Sequence, residues 1–227
     1  MIISGLPPGI ALNDPRPIAA EAPYTFELPH EIELAALKPG DGVKAIFRQT
    51  EGYTKYSAER MWVMIERIEE GVVHGTLDNE PHDMPLIQAG MPVAVPLTHV
   101  ISCDFNNENR PEVPERRHYM ERCFVDICVV EGRSHVDYLY REPPDMTREG
   151  DKYPDSGWRM RGAPDVIDRD EEREDRFQYI AIGKVLNADD RWLHLIDEEP
   201  GVAFQWDAET QEYIRFERPD LLEPGAD

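Results

Sequence analysis

Between Arg60 and Ile68, side chains divide by alternation. Met61, Val63 and Ile65 fall on one face and Trp62, Met64 and Glu66 on the other, the period-two pattern of a strand with one buried side. Glu69-Glu70-Gly71 supplies a tight reversal, and Val72 to Leu77 returns as the hairpin partner. Upstream, Glu31 to Leu37 predicts a short helix, stopped by the turn chemistry of Lys38-Pro39-Gly40-Asp41, and Val43 to Gln49 reads as a strand. Val93 to Leu97 reads as an edge strand, the position that tolerates its proline. Short strands with frequent turns predict a strongly bent sheet or partial barrel.

The second half mixes its periods. Glu115 to Arg122 suggests a helical turn, and Phe124 to Val130 is an apolar run fit for a strand buried on both faces. Glu131-Gly132-Arg133 makes a turn, with His135 to Tyr140 as the alternating partner strand, and Gly157 to Arg161 reads as another strand. Tyr179, Ile182, Val185 and Leu186 recur at helical spacing up to Asn187, and a second short helix fits Asp189 to Ile196, burying Trp192, Leu193 and Ile196. Val202 to Trp206 and Tyr213 to Phe216 close as a hairpin.

Strands and helices mix without regular βαβ alternation, so the expected class is α+β in two small units. The first is a bent sheet or partial barrel, and the second an antiparallel sheet with two short helices. Residues 1–30 hold Pro7, Pro8, Pro15, Pro17, Pro23 and Pro29 and predict an extended arm docked on the body. Residues 31–104 form the β-rich domain, and 105–116, rich in Asn and Pro, a linker. Residues 117–227 form the α+β domain.

Composition narrows the partners. The 227 residues carry 24 basic and 46 acidic side chains, a net charge of −22. Such a field repels nucleic acid and anionic membrane and draws cationic surfaces. The balance fits either a basic protein partner or simple solubility. Cys103, Cys123 and Cys128 are odd in number and scattered, so buried free thiols in a reducing cytosol are expected. Neither a signal peptide nor a membrane-spanning apolar run is recognisable, and the expected location is cytoplasmic.

Strong catalytic signatures are missing: the chain contains no GxxxxGK[ST], GxGxxG, HExxH or GxSxG. The seven histidines supply no recognisable ligand spacing, so no metal and no cofactor is expected. Cys128 with His135 is a conceivable nucleophile pair, but an apolar setting would leave the thiol inert. The acidic run Asp168, Asp170, Glu171, Glu172, Glu174 and Asp175 lacks the register of a calcium loop, and arginines interleave with it. A solvated face, open to a protein partner, fits it better. Asp155-Ser156-Gly157-Trp158 has two readings. Structurally, Gly157 permits an unusual backbone angle or close approach and Trp158 anchors a core. Functionally, Asp155, Trp158 and Arg141 shape a recognition surface, where Trp and Arg often dominate binding.

Tyr138-Leu139-Tyr140-Arg141-Glu142-Pro143, then Asp155-Ser156-Gly157-Trp158-Arg159, an acidic segment, Tyr179 to Asn187, and Gly201-Val202-Ala203-Phe204 follow in order. Over residues 123–216 this resembles the thirty-third immunity-protein family of bacterial polymorphic-toxin systems. Residues 31–104 resemble a second, uncharacterised bacterial β-rich family through Arg60-Met61-Trp62-Val63, Gly75-Thr76-Leu77-Asp78-Asn79 with Pro81, and Gly90 before Val93.

The first resemblance implies a non-enzymatic protein that neutralises a cognate toxin by stoichiometric binding. Arg141, Asp155, Trp158, Asp168, Asp170, Glu171, Glu172, Glu174 and Asp175 are the candidate partner-binding residues. The alternatives are a binding or scaffold module for another ligand, or a carboxylate-dependent hydrolase. Oligomeric state is open.

Overall fold

The computed structural model describes residues 6–53, 55–106 and 110–222. The chain divides into two compact units, residues 1–116 and 117–227.

In the first unit, part of the proline-rich segment is regular. β1 (Ile10–Leu12) pairs with the end of β2 (Gly42–Gln49). α1 (Arg16–Glu21) holds Pro17 in its first turn, where amides have no helical partner, so the missing N–H costs nothing. Residues 1–5 of the expected arm lie outside the described residues, as do 107–109 of the expected linker. α2 (Glu31–Ala36) starts at a capping box, in which His30 Nδ1 accepts from the Ile32 amide and Glu33 accepts from the His30 amide at 2.8 Å.

β3 (Ala58–Glu69) and β4 (Val72–Leu77) form the expected hairpin. Its two-residue loop has Glu70 and Gly71 both at positive φ, 51° and 76°, the geometry that matches the strands' twist. Gly75 lies where the register shifts, and a β-carbon there would overlap the Met64 carbonyl. β5 (Pro92–Pro96) is an edge strand with a proline at each end. β6 (Val100–Asp104) pairs with β2, beyond the opposite side of the β3–β4 pair.

Only Leu97–His99, a single 3-10 turn, joins β5 to β6. Three residues reach only about 10 Å, so strands at opposite ends of the order must come together. The sheet therefore curls into a half-barrel. Val43, Phe47, Met61, Val63, Ile65, Val73, Leu77, Val95 and Val100 fill its inside. Trp62 faces outward with Lys44 stacked over it at 4.3 Å.

The second unit is a six-stranded sheet in the order β10-β7-β9-β8-β11-β12. Its strands are β7 (Arg122–Asp126), β8 (Tyr138–Arg141), β9 (Asp155–Arg161), β10 (Phe177–Ala181), β11 (Val202–Asp207) and β12 (Glu212–Glu217). The helices are α3 (Ile127–Val130), α4 (Pro164–Ile167) and α5 (Ile182–Ala188). Every strand pair is antiparallel except β7–β9, which is parallel.

Several local expectations are corrected here. The run expected as one strand over 124–130 turns helical at Ile127, because α3 tucks Ile127, Cys128 and Val129 into the core. β7 and β8 do not form a hairpin, since β9 inserts between them. Tyr179 belongs to β10, and the helix expected from it starts at Ile182. No helix forms over 115–121, and only Leu193–Leu195 of the second expected helix is helical, as a 3-10 turn.

Cross-strand register assigns the two faces of this sheet. Val125, Leu139, Trp158, Met160 and Phe204 share one face and are buried. Trp192, with its ring centroid 6.0 Å from that of Trp158, covers them. On the other face, Tyr179, Phe124, Arg159, Tyr140, Ala203 and Phe216 form one continuous row across all six strands.

Candidate functional site

Arg159 is the centre around which both C-terminal motifs assemble. Its guanidinium meets Asp155 through two bonds, Nη1–Oδ1 at 3.0 Å and Nη2–Oδ2 at 2.9 Å, and donates from Nε to Glu142 Oε1 at 2.6 Å. Asp145 adds a longer contact at 3.3 Å. Arg159 and Asp155 are buried, so the fork geometry is held away from water. Burial pushes the Asp155 carboxyl up, but the Arg159 charge and amide donors, Gly157 and Met146 among them, outweigh it and hold it below the usual range.

Gly157 brings the two motifs together. Its φ is +80°, and a β-carbon would overlap the Glu142 carbonyl oxygen. The Glu142 amide donates to Gly157 O at 3.0 Å in the same contact. Only glycine allows that approach. Ser156 Oγ donates to Arg122 O at 2.7 Å, fastening the irregular part of β9 to β7.

Arg141 and Trp158 act from the opposite face. Trp158 is fully buried and donates from Nε1 to Ile196 O at 3.2 Å. Arg141 lies 5.6 Å from the Trp158 ring and donates to Ser156 O and Glu198 O. The side chains of Asp155 and Trp158 are thus sealed from the surface. They fix the backbone on which the surface is built.

The acidic run divides. Asp170 is buried and bonded to Arg133 at 2.5 Å. Arg173 holds both Asp175 and Glu131, with contacts at 2.9 Å, and pulls both carboxyls below their ordinary range. Asp168, Glu171, Glu172 and Glu174 are exposed, and among the described residues none of them has an ion-pair partner. Asp168, Asp170 and Glu171 line a cavity of about 240 Å³ with Asp126, Arg161, Arg176 and Phe177. A larger recess of about 610 Å³ is lined by Arg191, His194, Trp206, Gln211, Glu212 and Tyr213. Neither cavity brings Arg141, Asp155 or Trp158 to the acidic run.

Other chemistry is muted. Cys128 lies in α3 and burial pushes its thiol up; Cys123 is pushed up to about 12. His135 bonds Asp137 at 3.2 Å and packs edge-on against Trp206. Among the described residues no group of three or more His, Cys, Asp or Glu side chains is placed to hold a metal ion, and no helix is long and apolar enough to cross a membrane.

This linked core, with strand β8 running into Glu142 and Arg159 bridging to it, falls inside a recognised domain. Residues 123–217 match the immunity protein Imm33 domain. The Imm33 region covers all six strands of the second sheet except the first residue of β7. Residues 36–111 match a family described as an uncharacterized protein conserved in bacteria, DUF2314. No curated protein matches the chain, and no solved structure does.

Sequence reasoning passed over Asp126, Arg161 and Phe177, which line the smaller cavity. A signal existed: aromatic residues two apart, as in Phe177 and Tyr179 or Tyr138 and Tyr140, must share one face of a strand.

Proposed function

We propose that this protein is an immunity protein that neutralises a cognate bacterial toxin by forming a stoichiometric complex with it. The match of residues 123–217 to the immunity protein Imm33 domain carries this reading. The partner we propose is a basic protein, because a net charge of −22 repels nucleic acid and anionic membrane and steers cationic surfaces inward. Asp168, Glu171, Glu172 and Glu174 supply that attraction, Asp170 and Asp175 stay bound to arginines, and Arg141, Asp155 and Trp158 hold the site's frame. The complex forms in the cytoplasm of the producing cell, without a cofactor.

Co-expression with the toxin encoded by a neighbouring gene tests the reading. Survival of the cells, together with a 1:1 complex on gel filtration, is the expected outcome, and toxicity unrelieved by the full chain overturns it. Replacing Glu171 and Glu172 by Gln is expected to slow association about 2- to 10-fold at low salt while leaving dissociation nearly unchanged. A hydrolase built on paired carboxylates has less support. The carboxyls of Glu131, Asp155, Asp175 and Asp197 all move down from their ordinary range beside arginines, whereas a general acid needs one moved up.

A further inference from the structure

We infer that the partner docks on the partly open face of the second sheet, a platform of aromatic and arginine side chains with an acidic lip, and that this partner is a basic protein. The inference rests on the reading that the Imm33 region binds a protein, and it names where and how.

Two register rows define the platform. The first runs Tyr179, Phe124, Arg159, Tyr140, Ala203, Phe216 from one sheet edge to the other. The second pairs Phe177 with Asp126, and Arg161 with Tyr138, Gln205 and Ile214 in turn. Directly paired residues point to the same side of a sheet, so Phe124, Tyr138, Tyr140, Phe177, Tyr179 and Phe216 share one face.

The opposite face packs against Trp192, whereas here only Asp126, Arg159 and Ala203 are buried and the aromatics stay partly exposed. Ile214 and Phe216, on edge strand β12, reach 43% and 47% exposure. Rings and guanidiniums already stack: Arg161 and Arg176 lie 5.4 and 5.1 Å from the Phe177 ring, and Arg122 5.1 Å from Tyr179. Aromatic residues and arginine are the types enriched at protein interfaces, and lysine is depleted there. Residues 117–227 contain just two lysines, Lys152 and Lys184, and neither lies on these rows.

Charge selects the occupant. The second row ends at the 240 Å³ cavity lined by Phe177, Arg161 and Asp126. There Arg161 is matched by Asp126, and Asp170 by Arg133, which leaves Asp168 and Glu171 against Arg176. The lip is net negative, and the Phe177 ring beside it already carries Arg161 and Arg176. A lysine or arginine of the partner enters there, and an apolar patch of the partner rests on Tyr138, Ile214 and Phe216. A second copy of this chain is disfavoured, because two bodies of −22 repel.

Photo-cross-linking in the native bacterium tests this. Benzoylphenylalanine replaces Tyr138, Ile214 or Phe216, one at a time in the full chain, with the exposed Leu86 of the first unit as the control position. The expected result is a 1:1 adduct from the three platform positions to one basic protein. Purified, that protein should bind the Ile214→Asp/Phe216→Asp double variant at least tenfold more weakly, with the variant's thermal melt unchanged because both side chains are exposed. No platform adduct, an adduct to a second copy of this chain, or binding indifferent to the double variant each overturns the inference. If the cross-linked protein is not a toxin, the immunity reading fails and the platform stands. If a toxin binds but the platform positions stay silent, the reverse holds.

Discussion

Gly157 has a conformation no other residue fits. Its φ of +80° and the closeness of the Glu142 carbonyl combine two penalties, so Gly157→Ala is expected to lose on the order of 3 kcal/mol from the second unit. Urea unfolding followed by tryptophan fluorescence measures it, since Trp158 and Trp192 are both buried. Asp155 makes a different point. With its folded pKa below the unfolded value near 4, its stabilisation is complete above that value and disappears as pH falls through the folded pKa. Asp155→Asn should therefore cost about 3–5 kcal/mol at pH 7, where it leaves Arg159 buried and short of a partner. The gap to the wild type should narrow below about pH 4. Denaturation curves of both proteins between pH 7 and pH 3 give the answer.

Elements that depend on neighbours in sequence were legible, and those that depend on distant ones were not. The β3–β4 hairpin followed from alternation and the Glu70-Gly71 turn, because both are local. The same turn carries a prediction. Glu70 is at φ 51°, where asparagine is more at ease, so Glu70→Asn should raise the first unit's stability by about 0.5–1 kcal/mol in thermal unfolding. The insertion of β9 between β7 and β8 was invisible, since a real turn at 131–133 suggested a hairpin while the pairing partner lay more than 20 residues further on. Tyr179 sat at helical spacing from Ile182, yet its pairing with Phe124 placed it in β10. For the candidate site, Gly157 and Trp158 were readable as a backbone exception and a core anchor. The pairing of acids with Arg133 and Arg173 required the fold.

For the molecule as a whole, charge governs encounter and packing governs persistence. A body of −22 should associate with a basic partner at a rate that falls steeply with ionic strength. Stopped-flow measurements between about 20 and 200 mM salt are expected to show the association rate dropping at least tenfold while dissociation changes little. A flat profile would detach the acidic surface from recognition.

Arg159 has a consequence for descent. One guanidinium draws on Asp155 from its own strand and on Glu142 from the end of the next, so these three positions are expected to be inherited as a single character. A lineage that loses the arginine is left with two carboxylates and no counter-charge, and drift will remove them in turn. Distant relatives should therefore carry the trio intact or have replaced all three by uncharged residues, with mixed states rare and short-lived.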